Sequence, residues 1–442
     1  MTTAQIMARN SLEPNRMIQP LDIAISGAGP AGLAAALFLA RDGHRVTLFE
    51  RFGQAQPLGS GLMLQPTGLA VLHDLGLLDA ILQRGQRIGR LTGRDAATGR
   101  TVLDVRYDAV SGGRFGLGVH RAALFGVLHE AVKAAGIAIV TGAQIVDTEQ
   151  RAGAIRLIDA KGRRHGPFAL AVDASGGRSA LRRATFGPSA EPRPLAWGAL
   201  WGTVDWCDDG FDIHALEQRY EAARVMIGVL PLGRPFDDSA GTAQMGRKAA
   251  LFWSLKPADH STLVAGGFEA LRERIIGCWP QAAGLVAQLG GFDDLVLARY
   301  GHHTLARPHA GHLAFIGDAA HSTSPQLGQG ANMALLDAAA LAHALRRSPD
   351  IDAALAAYGA SRRAHLRLYQ ALSLAFTPFY QSDSAALAFV RDRLVSTVAR
   401  IPPAPAILAA MVCGTLLDPL AAAGVTEPQW PAPARQSGSE FA

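Results

Sequence analysis

The chain has 442 residues, of which 49% are hydrophobic and 18% are charged, and its formal net charge at pH 7 is +5. This composition excludes an intrinsically disordered protein, and the length favours two domains or one domain with large insertions. The small net charge, without a long run of basic residues, excludes the footprint of a nucleic-acid-binding protein.

Residues 1–20 precede the first predicted strand. They are polar and lack the apolar core of a secretory signal, so we interpret them as a mobile extension. No stretch of the chain reaches about 18 uninterrupted apolar residues, and we therefore expect no membrane span. The cysteines, Cys207, Cys278 and Cys413, are far apart and match no disulfide or metal pattern, which favours a reducing, cytoplasmic compartment.

Residues 21–50 predict the strand–turn–helix–strand unit of a dinucleotide-binding fold. Leu21–Ser26 is an apolar strand, and it leads through the turn GAGPAG into an apolar helix and a second strand that ends at Glu50. Glycines at the first, third and sixth turn positions allow a tight turn, a close approach to a pyrophosphate and close packing of helix on strand. The helix N-terminus attracts phosphate. The predicted contacts are Gly27, Gly29, Ala31, Gly32, Glu50 and Arg51.

Mixed helices and strands are predicted from residue 51 to residue 187. In chain order they are a glycine-rich loop at 59–61, a helix that begins at Pro66, a hairpin at 87–95 and 101–107, a helix at 121–135 and a strand at 170–173. This last strand leads into the sequence SGGRSALR at residues 175–182. From about residue 188, prolines and tryptophans become frequent and strands at 196–203, 224–231 and 249–255 alternate with long loops. This pattern predicts an antiparallel sheet in a second domain.

A second motif begins where the chain returns to a parallel-type strand at Leu313–Gly317. Residues 317–345 read GDAAHSTSPQLGQGANMALLDAAALAHAL. Asp318 follows the carboxyl end of the strand, where ligands of open α/β sheets bind, and its carboxylate can accept hydrogen bonds from a polyol. Gly328 and Gly330 expose N–H groups at a helix start, which suits an anion or an electronegative ring edge. The alternative is an ordinary strand–loop–helix crossing, which the length of the pattern disfavours.

Together these motifs resemble the FAD-dependent aromatic hydroxylases of the p-hydroxybenzoate hydroxylase type, over roughly residues 21–376. The resemblance implies an α/β fold in which a Rossmann-like FAD-binding domain is interleaved with an antiparallel-sheet substrate domain and followed by C-terminal helices. The expected domains are 21–86, 112–187 and 306–376 for FAD binding, 87–111 and 188–305 for substrate, and 377–442 for the C-terminal helical segment and tail.

The same resemblance implies roles for further residues. Arg121 lies near the ribityl–phosphate part of the flavin cofactor, Asp318 holds the ribityl chain, and His321 is structural. The residues expected beside the isoalloxazine are Pro325, Gly328, Gly330, Ala331 and Asn332, with the loop at 59–65, including Gly61, on its other side.

One position departs from the family pattern. The family has Asp-Gly at the start of the middle motif, where this chain has Ser175 and Gly176. In the family this stretch is linked to both FAD and the passing nicotinamide cofactor. Whether Asp173, two residues earlier, takes over is left open by the sequence.

The resemblance implies a single-component FAD monooxygenase that uses NAD(P)H as a transient co-substrate. NAD(P)H reduces the flavin, oxygen adds at its C4a carbon, and the hydroperoxide transfers one oxygen atom to an aromatic or heteroaromatic small molecule. No second dinucleotide fingerprint is present, so the nicotinamide has no Rossmann domain of its own. Substrate contacts are expected from the sheet at 190–305, with core packing as the alternative for each of Trp197, Trp201, Met226, Phe252 and Trp253. No residue is assigned as a catalytic base.

Other functions remain open at this level. A Baeyer–Villiger oxidation uses the same flavin intermediate, and an isoprenoid reductase shares the fold. A halogenase is disfavoured, because the Trp-x-Trp-x-Ile-Pro pattern is missing. A non-catalytic flavin sensor is supported only by Ser175. The densest histidine group, His302, His303, His309 and His312, is expected to lie on the approach to the second motif and not to bind a metal. The C-terminal helices at 387–420 are expected to pack within the protein.

Overall fold

The computed structural model describes residues 18–53, 60–151, 153–234 and 246–430. The extension expected at residues 1–20 lies outside the described residues except for its last three positions. The strands, in chain order, are β1 (Asp22–Ser26), β2 (Arg45–Phe49), β3 (Gly61–Leu64), β4 (Gln86–Ile88), β5 (Arg90–Asp95), β6 (Thr101–Arg106), β7 (Gly116–His120), β8 (Ala138–Val140), β9 (Ile145–Arg151), β10 (Ala154–Asp159), β11 (Arg164–Phe168), β12 (Leu170–Asp173), β13 (Arg193–Asp205), β14 (Ala215–Glu221), β15 (Val225–Leu232), β16 (Lys248–Leu255), β17 (Val296–Thr304), β18 (His309–Ala310), β19 (Leu313–Phe315) and β20 (His321–Ser322).

The helices, in chain order, are α1 (Pro30–Arg41), α2 (Pro66–Asp74), α3 (Leu78–Leu82), α4 (Arg121–Ala134), α5 (Ala180–Phe186), α6 (His260–Ala265), α7 (Phe268–Cys278), α8 (Ala283–Val286), α9 (Gly330–Arg347), α10 (Ile351–Tyr380), α11 (Ala385–Val390), α12 (Ser396–Val398) and α13 (Ala404–Cys413). Two 3-10 turns shape the site described below, at Gly317–Ala319 and Pro325–Leu327, and a π-helical turn spans Arg391–Val395.

A mainly parallel sheet has the strand order β18-β19-β12-β1-β2-β8. Strand β1 lies near its centre, parallel to β12 on one side and to β2 on the other. Ile23 and Ile25 pack in one apolar cluster with α1 and α9, whereas Ala24 packs on the other face against the smaller sheet of β9, β10 and β11. Because both faces are covered, the three residues between Asp22 and Ser26 at the ends of the strand are all apolar. The α/β fold is confirmed.

The predicted first unit is confirmed as β1, α1 and β2. Pro30 occupies the first helical turn of α1, where its fixed φ suits the helix and its missing N–H is not needed. The helix is rich in alanine, and Ala34, Ala35 and Ala36 are fully buried against neighbouring elements. Small side chains on α1 and on the equally alanine-rich α9 let the two helices lie close together.

The second sheet has the order β20-β17-β13-β16-β15-β14-β5-β6. The strands predicted at 196–203, 224–231 and 249–255 correspond to β13, β15 and β16, which pair antiparallel. The predicted hairpin is β5 and β6, and it extends this sheet through a parallel pairing of β5 with β14. Helices α7 and α8 cover one face of the sheet in an apolar cluster.

The prediction of a loop at residues 59–65 is wrong in part. Gly59 lies outside the described residues, but Gly61–Leu64 forms strand β3, which pairs antiparallel with β7. A Cβ at Gly61 would lie 2.7 Å from the Cβ of Ala250 and 2.8 Å from a methyl carbon of Leu232. Glycine at this position therefore permits close packing of β3 on the second sheet and is not a sign of an irregular loop.

A buried carboxylate joins the second motif to helix α10. Asp337, on α9, accepts hydrogen bonds from the backbone N–H of Gly317 (2.9 Å), from Nε2 of His321 (2.6 Å) and from Nε of Arg362 (2.8 Å). Burial alone would raise the pKa of Asp337, but the positive charges of His321 and Arg362 and their hydrogen bonds lower it to about 2. The His321 side chain is buried, as its expected structural role requires.

Within the described ranges, no helix combines the length and hydrophobicity needed to cross a bilayer. The same residues contain no group of three or more His, Cys, Asp or Glu side chains arranged to hold a metal ion.

We expect Asp337→Asn to lower the free energy of unfolding by about 3 kcal/mol or more, because it leaves the guanidinium of Arg362 buried without a countercharge. The lowered pKa means that Asp337 stabilises the fold above its unfolded pKa of 3.8 and loses this contribution as pH falls toward about 2. Urea denaturation at pH 7 and at pH 3 should therefore show a smaller difference between variant and wild type at the lower pH.

The control is Glu130→Gln, which breaks the exposed 3.1 Å ion pair with Lys133. It should change the unfolding free energy by less than about 0.5 kcal/mol. Equal effects of the two substitutions would contradict a special role for Asp337.

Candidate active site

Three parallel strands end side by side at one edge of the first sheet. Ser26, the last residue of β1, is in register with Asp173 of β12, and Asp173 is in register with Phe315 of β19. The turn that follows β1, the loop that follows β12 and the 3-10 turn that follows β19 therefore meet at this edge. The chain order reverses between β1 and β12, which is where open α/β sheets bind ligands.

The glycine turn after β1 has the geometry that a pyrophosphate site requires. Gly27 has φ +105°, and a Cβ there would contact the backbone of Ala174. A Cβ on Gly32 would overlap the carbonyl oxygen of Gly27, so this glycine permits the close contact of α1 with the turn. At Gly29, by contrast, nothing lies within 4 Å of a Cβ. This open space in front of the helix N-terminus fits the phosphates of a dinucleotide.

Glu50 closes the turn from the end of β2. Its Oε2 accepts a hydrogen bond from the N–H of Ala28 (2.9 Å) and its Oε1 accepts one from the N–H of Phe52 (3.1 Å). Each carboxylate oxygen keeps a second lone pair, so the side chain can still accept the hydroxyls of a ribose. The neighbouring Arg51 is exposed, with its guanidinium 4.5 Å from the ring centroid of Phe52.

The glycine turn that begins at Gly27 and the second motif, which begins at Gly317, are in direct contact. Gly317 has φ +58°, and a Cβ there would lie 3.2 Å from the Cβ of Ala31 on helix α1. The nearly fully buried Arg182, from the middle motif, donates to the carbonyl oxygens of Ala319 (3.1 Å) and Gly177 (2.6 Å). The three motifs, far apart in sequence, therefore form one continuous edge.

Asp173 organises the loop that begins at Ser175. Its buried carboxylate accepts hydrogen bonds from the N–H of Ser175 (2.9 Å), from Oγ of Ser175 (2.6 Å) and from Oγ of Ser179. Ser179 in turn caps helix α5 by accepting from the N–H of Arg182. Burial raises the pKa of Asp173. The loop is thus organised by a carboxylate at residue 173 in place of one at residue 175.

A cavity of about 1340 Å³ extends from this edge to the face of the second sheet opposite α7 and α8. Ten of the residues expected to contact cofactor or substrate line it: Gly61, Arg121, Asp318, Pro325, Gly328, Gly330, Ala331, Trp201, Met226 and Phe252. Gly27, Gly29, Ala31, Gly32, Glu50 and Arg51 do not line it and belong to the glycine-turn end of the edge. The cavity thus contains the region expected for the flavin and the substrate.

Asn332 was expected beside the isoalloxazine, but its side chain is fully buried and does not line the cavity. Its Oδ1 accepts from the N–H of Gln65 (2.8 Å) and its Nδ2 donates to the carbonyl of Gly328 (2.8 Å). These two partners lie next to each other, since a Cβ on Gly328 would be 3.3 Å from Nε2 of Gln65. Asn332 therefore ties strand β3 to the turn that precedes α9.

Two of the five substrate candidates are placed elsewhere. Trp253 follows Phe252 on β16, and successive side chains of a strand point to opposite faces, so Trp253 packs under α7 while Phe252 lines the cavity. Trp197 lies 5.6 Å from the Lys256 ammonium and outside the cavity, near a register shift in β13 between Pro194 and Gly198. Core packing, the stated alternative, describes Trp253.

Several cavity residues were missed by sequence reasoning. Tyr300, on β17, accepts a hydrogen bond from Nε1 of Trp201 at 3.0 Å. Its only sequence signal was its position just before His302 and His303. The cavity wall also includes residues of helices α10 and α13 outside the region at 190–305, among them Phe376, Tyr380, Leu408 and Met411. The cavity wall is therefore not formed by the sheet at 190–305 alone, and the expectation that this sheet supplies the substrate contacts stays a prediction.

Arg121 links the two ends of the site electrostatically. Burial raises the pKa of Tyr300 to about 12, and burial also raises the pKa of Asp318, while the positive charge of Arg121 lowers both. One cation therefore lies near the phenol and the carboxylate. Since Trp201 is a hydrogen-bond donor only, Tyr300 accepts from it and keeps its own O–H available as a donor in the cavity.

We expect Gly29→Ala and Gly32→Ala to separate ligand binding from folding. Gly29 has φ −76°, and a Cβ there meets open space, so alanine should change apoprotein stability by less than about 0.5 kcal/mol. It should nevertheless weaken FAD binding about tenfold, because the methyl group occupies the space in front of the helix N-terminus. Fluorescence titration of the apoprotein with FAD measures this effect.

Gly32→Ala should instead destabilise the apoprotein by about 2 kcal/mol, because its Cβ overlaps the carbonyl oxygen of Gly27. Chemical denaturation in the absence of FAD tests this. Normal FAD affinity in Gly29→Ala would show that the ligand does not approach this turn.

Comparisons with known proteins agree with this geometry. A family model described as an FAD binding domain matches residues 20–206 and 265–370, which is more than half of the chain. The chain is 30% identical over 340 residues to 3-amino-4-hydroxybenzoate 2-monooxygenase of Streptomyces cremeus, covering 74% of this chain and 79% of that protein. It is 28% identical over 409 residues to 6-methylpretetramide 4-monooxygenase of Streptomyces rimosus, covering 89% and 92%.

Among solved structures, that of Klebsiella pneumoniae HpxO with FAD and uric acid superposes with a TM-score of 0.72 at 20% identity. The superposition covers 89% of this chain and 97% of that chain, a likeness in fold. None of these findings favours a halogenase, a reductase or a non-catalytic sensor. The chain belongs to the FAD binding domain family and is an FAD-dependent monooxygenase of the aromatic hydroxylase type.

Proposed function

We propose that this enzyme uses NAD(P)H and O2 to hydroxylate an aromatic or heteroaromatic small molecule in the cavity between the first and second sheets. The observation that carries the proposal is the continuity of this cavity. One end holds Asp318 and the N-terminus of α9, and the other end is walled by Trp201, Met226 and Phe252. A ring bound at the aromatic end lies next to a flavin bound at the polar end.

The cofactor supplies the oxygen chemistry: FAD bound here, once reduced by NAD(P)H, activates O2 for transfer of one oxygen atom to the substrate. The protein groups bind and orient. With FAD bound, Asp318 would accept hydrogen bonds from the ribityl hydroxyls, and Arg121 would neutralise negative charge beside it. The N–H groups at Gly330 and Ala331, at the N-terminus of α9, would be the donors for the electronegative edge of the ring system.

The substrate end combines apolar side chains with a hydrogen-bond donor, the Tyr300 O–H. Its wall is largely apolar, which protects a reactive oxygen species from hydrolysis. The Trp201 ring lies 4.6 Å from the Phe252 ring and can stack against a bound aromatic. The Tyr300 O–H is proposed to donate to an oxygen substituent of the ring that reacts. Its raised pKa keeps it protonated at physiological pH.

We further propose that the enzyme works in the cytoplasm. Cys207, Cys278 and Cys413 are all free thiols, which is typical of a reducing compartment.

The first test is oxygen consumption by the purified yellow holoenzyme with a panel of hydroxylated aromatic acids, phenols and quinones. We expect NAD(P)H oxidation to rise sharply only with an aromatic that fits, and mass spectrometry under ¹⁸O2 to show one labelled atom in the product. Protein that stays colourless after incubation with FAD, or that is not reduced by NAD(P)H with any aromatic, would contradict the proposal.

We expect Tyr300→Phe to raise the KM of a phenolic substrate about fivefold, the effect of losing one hydrogen bond, with FAD content unchanged. The control is Tyr358→Phe, which removes a buried hydrogen bond to the carbonyl of Phe315 away from the cavity. That variant should lose stability and keep the wild-type KM. Steady-state kinetics and thermal denaturation separate the two outcomes, and an unchanged KM in Tyr300→Phe would refute the assigned role.

A further inference from the structure

The end of the cavity remote from the flavin region contains a polar group without a partner. Gln381, directly after helix α10, is 4% exposed and lines the cavity. Its Nε2 is buried and makes no hydrogen bond with any described residue. An amide N–H left unpaired in an apolar wall is costly, and a ligand oxygen that accepts its hydrogen bond removes this cost.

Two other polar side chains of the cavity lining, Gln218 and Asp104, already have hydrogen-bond partners. Gln218 accepts from the Tyr220 hydroxyl at 2.7 Å, and its Nε2 lies 3.4 Å from the Met226 sulfur. Asp104 is held by Arg90 through two hydrogen bonds of 2.7 and 2.8 Å. Unlike the amide of Gln218, the amide nitrogen of Gln381 has no hydrogen-bond partner among the described residues.

The length of helix α10 gives the distance between the flavin region and Gln381. Ser373 accepts a hydrogen bond from Oγ1 of Thr323 at 2.6 Å, which places this part of the helix beside the loop of the flavin region. Gln381 is eight residues further along, and at 1.5 Å per residue this corresponds to about 12 Å. A single benzene ring with one small substituent is shorter than this span.

The volume and the wall agree with a long ligand. The cavity volume of about 1340 Å³ is shared by the flavin and the substrate, whereas a site for one small molecule usually measures roughly 300–1000 Å³. Leu216, Leu230, Tyr380, Leu408 and Met411 are further apolar residues of the cavity wall. Apolar surface of this extent matches fused rings or an alkyl chain.

We propose that the substrate is an extended, largely apolar aromatic molecule whose reacting ring lies at Tyr300 and whose remote neutral oxygen accepts a hydrogen bond from Gln381. This inference rests on the proposed function for the identity of the reacting end. It makes Gln381 a specificity residue and assigns helices α10 and α13 to substrate selection.

The test measures equilibrium binding to the FAD-loaded enzyme without NAD(P)H, from the change in flavin absorbance. The probes are phenol, 6-ethyl-2-naphthol and 6-methoxy-2-naphthol, of which the last two have nearly the same shape and differ by one acceptor oxygen. We expect both naphthols to bind at least about tenfold more tightly than phenol, and the methoxy compound about fivefold more tightly than the ethyl compound.

Gln381→Leu and Gln381→Glu should both abolish the preference for the methoxy compound, because neither has the amide donor. Gln83→Leu, at an exposed glutamine outside the cavity, should retain it. Phenol binding as tightly as the naphthols, or a wild-type enzyme that does not distinguish the methoxy from the ethyl compound, would overturn the inference without any variant. A preference that persists in both Gln381 variants would also overturn it.

These outcomes are independent of turnover. Binding with a preference that depends on Gln381, but without oxygen incorporation into any aromatic, would support the binding inference and contradict the proposed function. Efficient hydroxylation of phenol, with no tighter binding of compounds that have a second ring, would support the proposed function and contradict the binding inference.

Discussion

The carboxylate of Asp337 is the interaction on which the rest of the site depends. It lies under the end of β19 and holds three groups: the backbone N–H of Gly317, the imidazole of His321 and the guanidinium of Arg362. Gly317 directly precedes Asp318, so the carboxylate of Asp337 fixes the turn that carries Asp318, the residue proposed to bind the ribityl chain. Through Arg362 it also fixes helix α10, which carries Gln381 at its far end.

The same helix connects this buried charge to the C-terminal segment. His365 Nε2 lies 3.0 Å from the carbonyl oxygen of Gly414, and the hydroxyl of Tyr369 donates to the carbonyl of Met411 at 2.9 Å. Burial and the charge of Arg362 lower the pKa of His365 to about 3, so the imidazole is neutral. Helix α13 is thereby held where Leu408 and Met411 complete the cavity wall. One ionic centre thus organises both ends of the cavity.

The sequence predicts the parts of the fold in which local pattern and tertiary role coincide. Strand β1, the glycine turn and α1 are recognisable because Gly27 and Gly32 are required by backbone geometry that no other residue tolerates. The motif around Asp318 is recognisable for the same reason. The flavin contact of Asn332 stays a prediction, because a motif shows that an amide is needed and not whether its side chain faces a ligand or, as here, Gln65 and Gly328. Gly61 was misread because close packing and a loop both favour glycine.

The residues that line the substrate end of the cavity are not predictable from the sequence, because they come from elements that are distant along the chain. Trp201, Tyr300 and Gln381 come from β13, β17 and the end of α10, and no local spacing relates them. On β16 the pleat alone decides that Phe252 reaches the cavity and Trp253 does not, and composition carries no sign of which face is covered by α7. Cofactor binding requires particular backbone conformations and so leaves a motif. Substrate binding requires only a shaped, mostly apolar surface with a few donors, which many sequences can supply. The identity of the substrate must therefore be read from unpaired groups such as the amide of Gln381 and from the distance between them.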